Sequence, residues 1–140
     1  MFDMRRTEKK SELISSLKVP TKVGAYEKIF SLDIGPVNAG DLISFKAYGE
    51  VTNDLGFNVM VGWYTSLNGL SISNAKGFNV TPDMHHGVWT DVDDYLVPMD
   101  LDSAIVNVYI RAASSAAKPG QTISVNIGYG TLSVVTFRGT

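Results

Sequence analysis

The chain has 140 residues, the size of one domain, with 44% hydrophobic and 19% charged residues and no cysteine; general disorder, thiolate catalysis, cysteine-ligated metals and disulfides are thereby excluded. Its net charge of −2 is unevenly spread: residues 1–28 hold seven bases and four acids, the rest five bases and ten acids, six of them between Asp83 and Asp102. A body of that sign repels polyanions, so nucleic acid is not expected as the main partner.

Met1-Phe2-Asp3-Met4-Arg5-Arg6 leads into no apolar run, so neither a conventional signal peptide nor a membrane partner is expected. Residues 1–25 read as an extended arm or a short helix. Leu13, Ile14 and Leu17 are too few for a full helix face, and Pro20 stops a helix soon after. From residue 26 to the end the pattern predicts one β-sandwich domain. Tyr26, Lys28, Phe30, Leu32 and Ile34 alternate with Glu27, Ile29, Ser31 and Asp33, and Gly35-Pro36 ends the run. Ile43, Phe45, Ala47, Gly49 and Val51 share one face of a second strand; after the turn Asn53-Asp54-Leu55-Gly56, Phe57 to Trp63 returns antiparallel to it. Asn68-Gly69 marks another tight turn.

The second half continues with strands expected at Gly87 to Val92, Tyr95 to Pro98, Ala104 to Arg111, Thr122 to Tyr129 and Leu132 to Phe137. Ala112 to Gln121 is a small-residue loop, and Gly128 and Gly130 suggest a bulge, because Ile123 and Ile127 are odd-numbered while Leu132 and Val134 are even. Eight or nine short strands without a strong helix predict an all-β fold, an antiparallel jelly-roll β-sandwich.

In the order Gly40 to Ala47, Gly87 to Thr90, Tyr95 to Pro98, Val106 to Arg111 and Gly120 to Val125, the chain resembles the jelly-roll carbohydrate-binding modules. The likeness spans residues 40 to about 137. Those modules commonly carry an acidic residue in the strand occupied here by Asn126, and often a calcium ion between the first and last strands; Asn126 departs from that pattern. Phage virion proteins use such sandwiches too, as decoration knobs and fibre domains.

No catalytic motif is present, so no enzyme and no cofactor are expected. His85 and His86, being adjacent, would point to opposite faces of a strand and cannot readily share an ion. Asp91, Asp93, Asp94, Asp100 and Asp102 could supply hard oxygen ligands, but lack the glycine and closing glutamate of a calcium loop; no metal site is assigned. Trp63, Tyr64 and Trp89 are candidates for stacking on a glycan, although aromatics on strands more often serve the core. Arg5, Arg6, Lys9 and Lys10 with Leu13, Ile14 and Leu17 are the candidate residues through which the arm binds outside its own domain, the apolar trio supplying affinity.

The expected role is a structural virion protein, located in the virion, most concretely a phage capsid decoration or cement protein. The alternative is a carbohydrate-binding module, as in a tail fibre or receptor-binding protein. Expected partners are further copies of the chain, with a trimer favoured by the family analogy, and the major capsid or another virion protein. The motive for self-association is that Tyr48, Met60, Tyr64, Ile105 and Tyr109 lie opposite the better core faces.

Overall fold

The computed structural model describes residues 2–12, 17–22, 25–83, 86–125 and 130–139, with the backbone alone for 2–12, 17, 86, 124 and 125. Among these residues are eleven strands and no helix: β1 (Phe2–Glu12), β2 (Leu17–Pro20), β3 (Glu27–Asp33), β4 (Leu42–Thr52), β5 (Val59–Leu67), β6 (Leu70–Ser71), β7 (Lys76–Val80), β8 (His86–Leu96), β9 (Ile105–Ala113), β10 (Thr122–Val125) and β11 (Thr131–Gly139).

Several of the eleven are halves of one row. β10 and β11 both run antiparallel to β4, Val125 opposite Val51 and Thr131 opposite Tyr48. Six residues of advance on one side meet three on the other, so the register slips between the halves. That is the shift expected from the odd-to-even change of apolar phase, and both Ile123 and Leu132 are buried. β2 pairs with β10 and β1 with β11 in the same way, and β6 and β7 share one side of β5. Eight rows result. One sheet reads β1/β2, β10/β11, β4, β8; the other reads β3, β9, β5, β6/β7. Each connection between successive rows crosses to the opposite sheet except the β5–β6 hairpin, where Asn68 and Gly69 both take positive φ (49° and 85°); the hairpin expected at Asn53 to Gly56 is instead one of the crossings, and β5 does not pair with β4. This interleaving is a jelly roll, two Greek keys closed face to face.

The first row corrects the division into an arm at 1–25 and a sandwich from 26. β1 and β2 are the outermost row of the first sheet, so the backbone carrying Arg5, Arg6, Lys9 and Lys10 is a strand, and the described residues of the segment hold no helix. Leu17 opens β2, while Leu13 and Ile14 lie outside the described residues. An edge strand needs main-chain partners on one side only, so β1 forms without the alternating apolar pattern by which strands are read. Val19 of β2 is fully buried, and the Thr21 hydroxyl donates to the Gln121 carbonyl at 2.9 Å. The two strands expected at Gly87 to Val92 and Tyr95 to Pro98 are one, β8, and β6 and β7 add the row that the sequence reading missed.

Core residues alternate along β4, β5, β9 and β11. Ile43, Phe45, Ala47 and Val51 of β4 face Val59, Val61 and Trp63 of β5 and Val106, Val108 and Ile110 of β9, with Trp89 of β8 between the sheets. Gly49 lies opposite Trp89, and a Cβ there would sit 2.8 Å from the indole. The missing side chain is what lets the ring lie flat on β4.

A buried carboxylate ties the last strand to the first sheet's end. Asp41 accepts from the Asn38 amide (2.9 Å), the Gly139 amide (2.8 Å) and the Arg138 guanidinium (2.8 Å). Burial pushes its pKa up, but those hydrogen bonds and the arginine charge outweigh it and leave the value below the ordinary aspartate range. A carboxyl with a depressed folded pKa stabilises fully above its unfolded pKa and loses that contribution as pH falls through the folded value. Urea midpoints should therefore fall on acidification below the ordinary aspartate range, and Asp41→Asn should flatten the fall; an equal acid sensitivity in the variant would assign the effect elsewhere.

Candidate functional site

The proposed stacking trio is split between two environments. Trp89 is completely buried and Trp63 is 6% exposed, their ring centres 6.1 Å apart in the core. The Trp63 indole N–H donates to the Thr90 carbonyl at 2.9 Å, and the ring meets Phe78 edge-on at 5.4 Å. Odd-numbered positions of β5 and β8 point inward, and both tryptophans occupy them, so neither offers a face to a ligand. Tyr64, one residue on from Trp63, lies on the outer face of the second sheet. There it stacks on Tyr109 (5.1 Å) and meets Tyr26 edge-on (4.8 Å), while Arg111 lies 5.0 Å over the Tyr26 ring. Burial, with Tyr109 and Tyr26 beside it, raises the Tyr64 phenol above its ordinary pKa.

The acidic string is dispersed in a similar way. Asp91 is buried between the sheets: Lys76 Nζ donates to its Oδ1 at 2.6 Å, and the hydroxyls of Thr65 and Ser73 donate to its Oδ2 at 2.7 and 2.8 Å. Ser73 Oγ also accepts from the Thr65 amide at 2.9 Å. This closed set links β8 to the second sheet across the sandwich. Asp93, Asp94, Asp100 and Asp102 are exposed, and Asp100 accepts from the Ala39 amide at 2.8 Å. Among the described residues no three His, Asp or Glu side chains converge as metal ligands would. His85 and Asn126 lie outside the described residues, and of His86 only the backbone is described.

Two surface features were not read from the sequence. The first is a set of apolar side chains on the outer face of the first sheet, where Val88, Val92 and Leu96 of β8 are 69%, 59% and 59% exposed and alternate with the exposed Thr90 and Asp94. Their even spacing is legible, but which phase faces out is not. On the second sheet, Met60 and Ile105 are exposed on the same outer face as Tyr64 and Tyr109. The second feature is a recess at one end of the sandwich. Leu67, Leu70, Pro98, Met99 and Leu101 line an apolar cavity of about 160 Å³. Beyond Tyr95, which borders both, a wider polar hollow of about 410 Å³ is lined by Ser71, Ser73, Asn74 and Asp93. Leu67 and Leu70 reach it from the β5–β6 hairpin, and Pro98 to Leu101 from the loop after β8.

No protein-family model matches the chain, and no curated protein does so either. Solved structures do match. VP2 of infectious bursal disease virus, in the D431N mutant forming derived T=1 particles, superposes with a TM-score of 0.64 at 12% identity, over 96% of this chain and 35% of that one. The structure of the Gt strain of the same virus gives 0.64 at 11% identity, over 98% and 38%. Dimeric latent PorU from Porphyromonas gingivalis gives 0.53 at 10% identity, over 96% and 13%. The likeness is one of fold. This chain spans little more than a third of the length of the infectious bursal disease virus chains it matches.

Proposed function

We propose that this chain is a structural component of a virus particle, most concretely a decoration or cement protein on a bacteriophage capsid, which assembles with further copies of itself and with the major capsid protein. The observation that carries this reading is the jelly roll with apolar side chains on the outer faces of both sheets, Val88, Val92 and Leu96 on one and Met60 and Ile105 on the other. A sandwich that functions alone needs its apolar groups only between the sheets. The VP2 structures, whose chains form particles on a fold of this kind, support the same reading, and the trimer comes from the analogy with virion proteins. The reading assigns no catalysis to the chain. Mass spectrometry of purified particles should find the protein at a fixed copy number relative to the major capsid protein, and light scattering of the isolated protein should give a mass above one chain. A monomer at high concentration that is also absent from particles would overturn the proposal.

The recess at Tyr95 favours carbohydrate binding as a second reading. An aromatic edge between an apolar wall and the polar groups of Ser71, Asn74 and Asp93 offers a sugar both a stacking face and hydrogen-bond partners. On this reading a glycan array gives signals that Tyr95→Ala abolishes without loss of fold; an array without signal would remove it.

A further inference from the structure

We infer that copies of this chain join head to tail through the two free edges of the first sheet, the β1/β2 edge of one copy meeting the β8 edge of the next. The inference rests on the proposed structural role only in supposing that copies meet at all.

Among the described residues β1 pairs only with β11, and β8 only with β4, so the first sheet ends in two strands of 11 residues each. Every neighbouring pair in this sheet is antiparallel. Four rows of alternating direction leave the outermost two running in opposite senses. A second copy set beside the first in the same orientation therefore brings its β1 antiparallel to β8, and the alternation continues across the junction. The edge of β8 is partly occupied already: the Thr90 carbonyl accepts from Trp63, and the Asp94 amide donates to the Asp93 side chain. A main-chain ladder would thus form along part of β8, with side chains providing the rest of the contact.

Charge selects this pairing over the symmetric ones. The row formed by β1 and β2 carries five bases (Arg5, Arg6, Lys9, Lys10, Lys18) and three acids (Asp3, Glu8, Glu12), whereas β8 carries no lysine or arginine and exposes Asp93 and Asp94. The edges lie three interstrand steps apart, roughly 14 Å at about 4.8 Å each, which exceeds the Debye length of about 8 Å in physiological salt. They therefore do little to neutralise each other within one chain. A twofold β8–β8 or β1–β1 contact would also be antiparallel, but would set like charges together. The head-to-tail contact sets them opposite, and brings a neighbour beside the exposed Val88, Val92 and Leu96. Because each copy then uses two different surfaces, assembly grows into a ring or an open array and does not stop at a dimer.

Charge reversal and cross-linking test this on the full chain. Asp93→Lys/Asp94→Lys makes both edges basic, and Lys9→Glu/Lys10→Glu makes both acidic. Each variant alone should associate about tenfold or more weakly than the parent in low salt, and an equimolar mixture should recover the parent's association. The chain has no cysteine of its own, so introduced thiols report directly. Glu8→Cys/Val92→Cys should form a ladder of covalent multimers on mild oxidation, while each single variant forms none. Reversal variants that associate like the parent, or single-cysteine variants that dimerise as readily, would overturn the inference and leave the structural role standing. A parent chain that stays monomeric at high concentration in low salt would overturn the inference and remove the self-association on which that role draws.

Discussion

Replacing Trp89 by alanine is expected to destabilise the fold by about 3 to 5 kcal/mol, the cost of emptying a large, fully enclosed aromatic site, and to lower the melting temperature by roughly 10 °C or more for a chain of this size. The indole lies between the sheets against Gly49, with Trp63 at 6.1 Å and Phe30 at 6.3 Å, so stiff rings flank the space that the substitution leaves. Trp89→Phe should cost much less. Its ring keeps most of the contacts, and the Trp89 indole N–H, buried without a hydrogen-bond partner among the described residues, is a group whose removal relieves a desolvation penalty. Gly49→Val should be damaging from the other side, because its Cβ alone falls within 2.8 Å of a buried ring. Urea denaturation of the three variants checks the order. A Trp89→Ala protein as stable as the parent would mean that the two sheets do not close on this residue.

Lys76→Met is expected to cost about 3 kcal/mol, because it leaves the Asp91 carboxylate enclosed with only the hydroxyls of Thr65 and Ser73 as partners. The figure is at the low end for a broken buried pair because the Lys76 side chain is 40% exposed and water replaces part of what the ammonium supplied. Adding Asp91→Asn to that variant should restore stability, since the uncompensated charge is gone while hydrogen bonding to the two hydroxyls can persist. The double variant should therefore sit closer to the parent than Lys76→Met does, a coupling that a double-mutant cycle in urea reads directly. Additive losses would show that the carboxylate and the lysine act independently.

The sequence by itself determined the all-β class, the jelly roll and the positions of the strands that form its interior. Ile43 to Val51 and Ala104 to Ile110 alternate with period two because each lies between a neighbouring sheet and solvent, so burial is written into every second residue. The turn at Asn68-Gly69 was legible for an equally local reason, since both residues adopt positive φ. Three matters were decided only by the tertiary structure. β1 is held through its backbone by β11, and main-chain pairing leaves no apolar signature, so residues 2–12 read as an arm. Alternation assigns Trp63 and Tyr64 to opposite faces without saying which face is inside; only the second sheet packing on the first buries Trp63 and Trp89 and leaves Tyr64 outside. Asp91 reads as one more acid in a charged run. It becomes a buried cross-sheet tie because residues as far away as Thr65, Ser73 and Lys76 are brought around it by rows adjacent in the fold and distant along the chain.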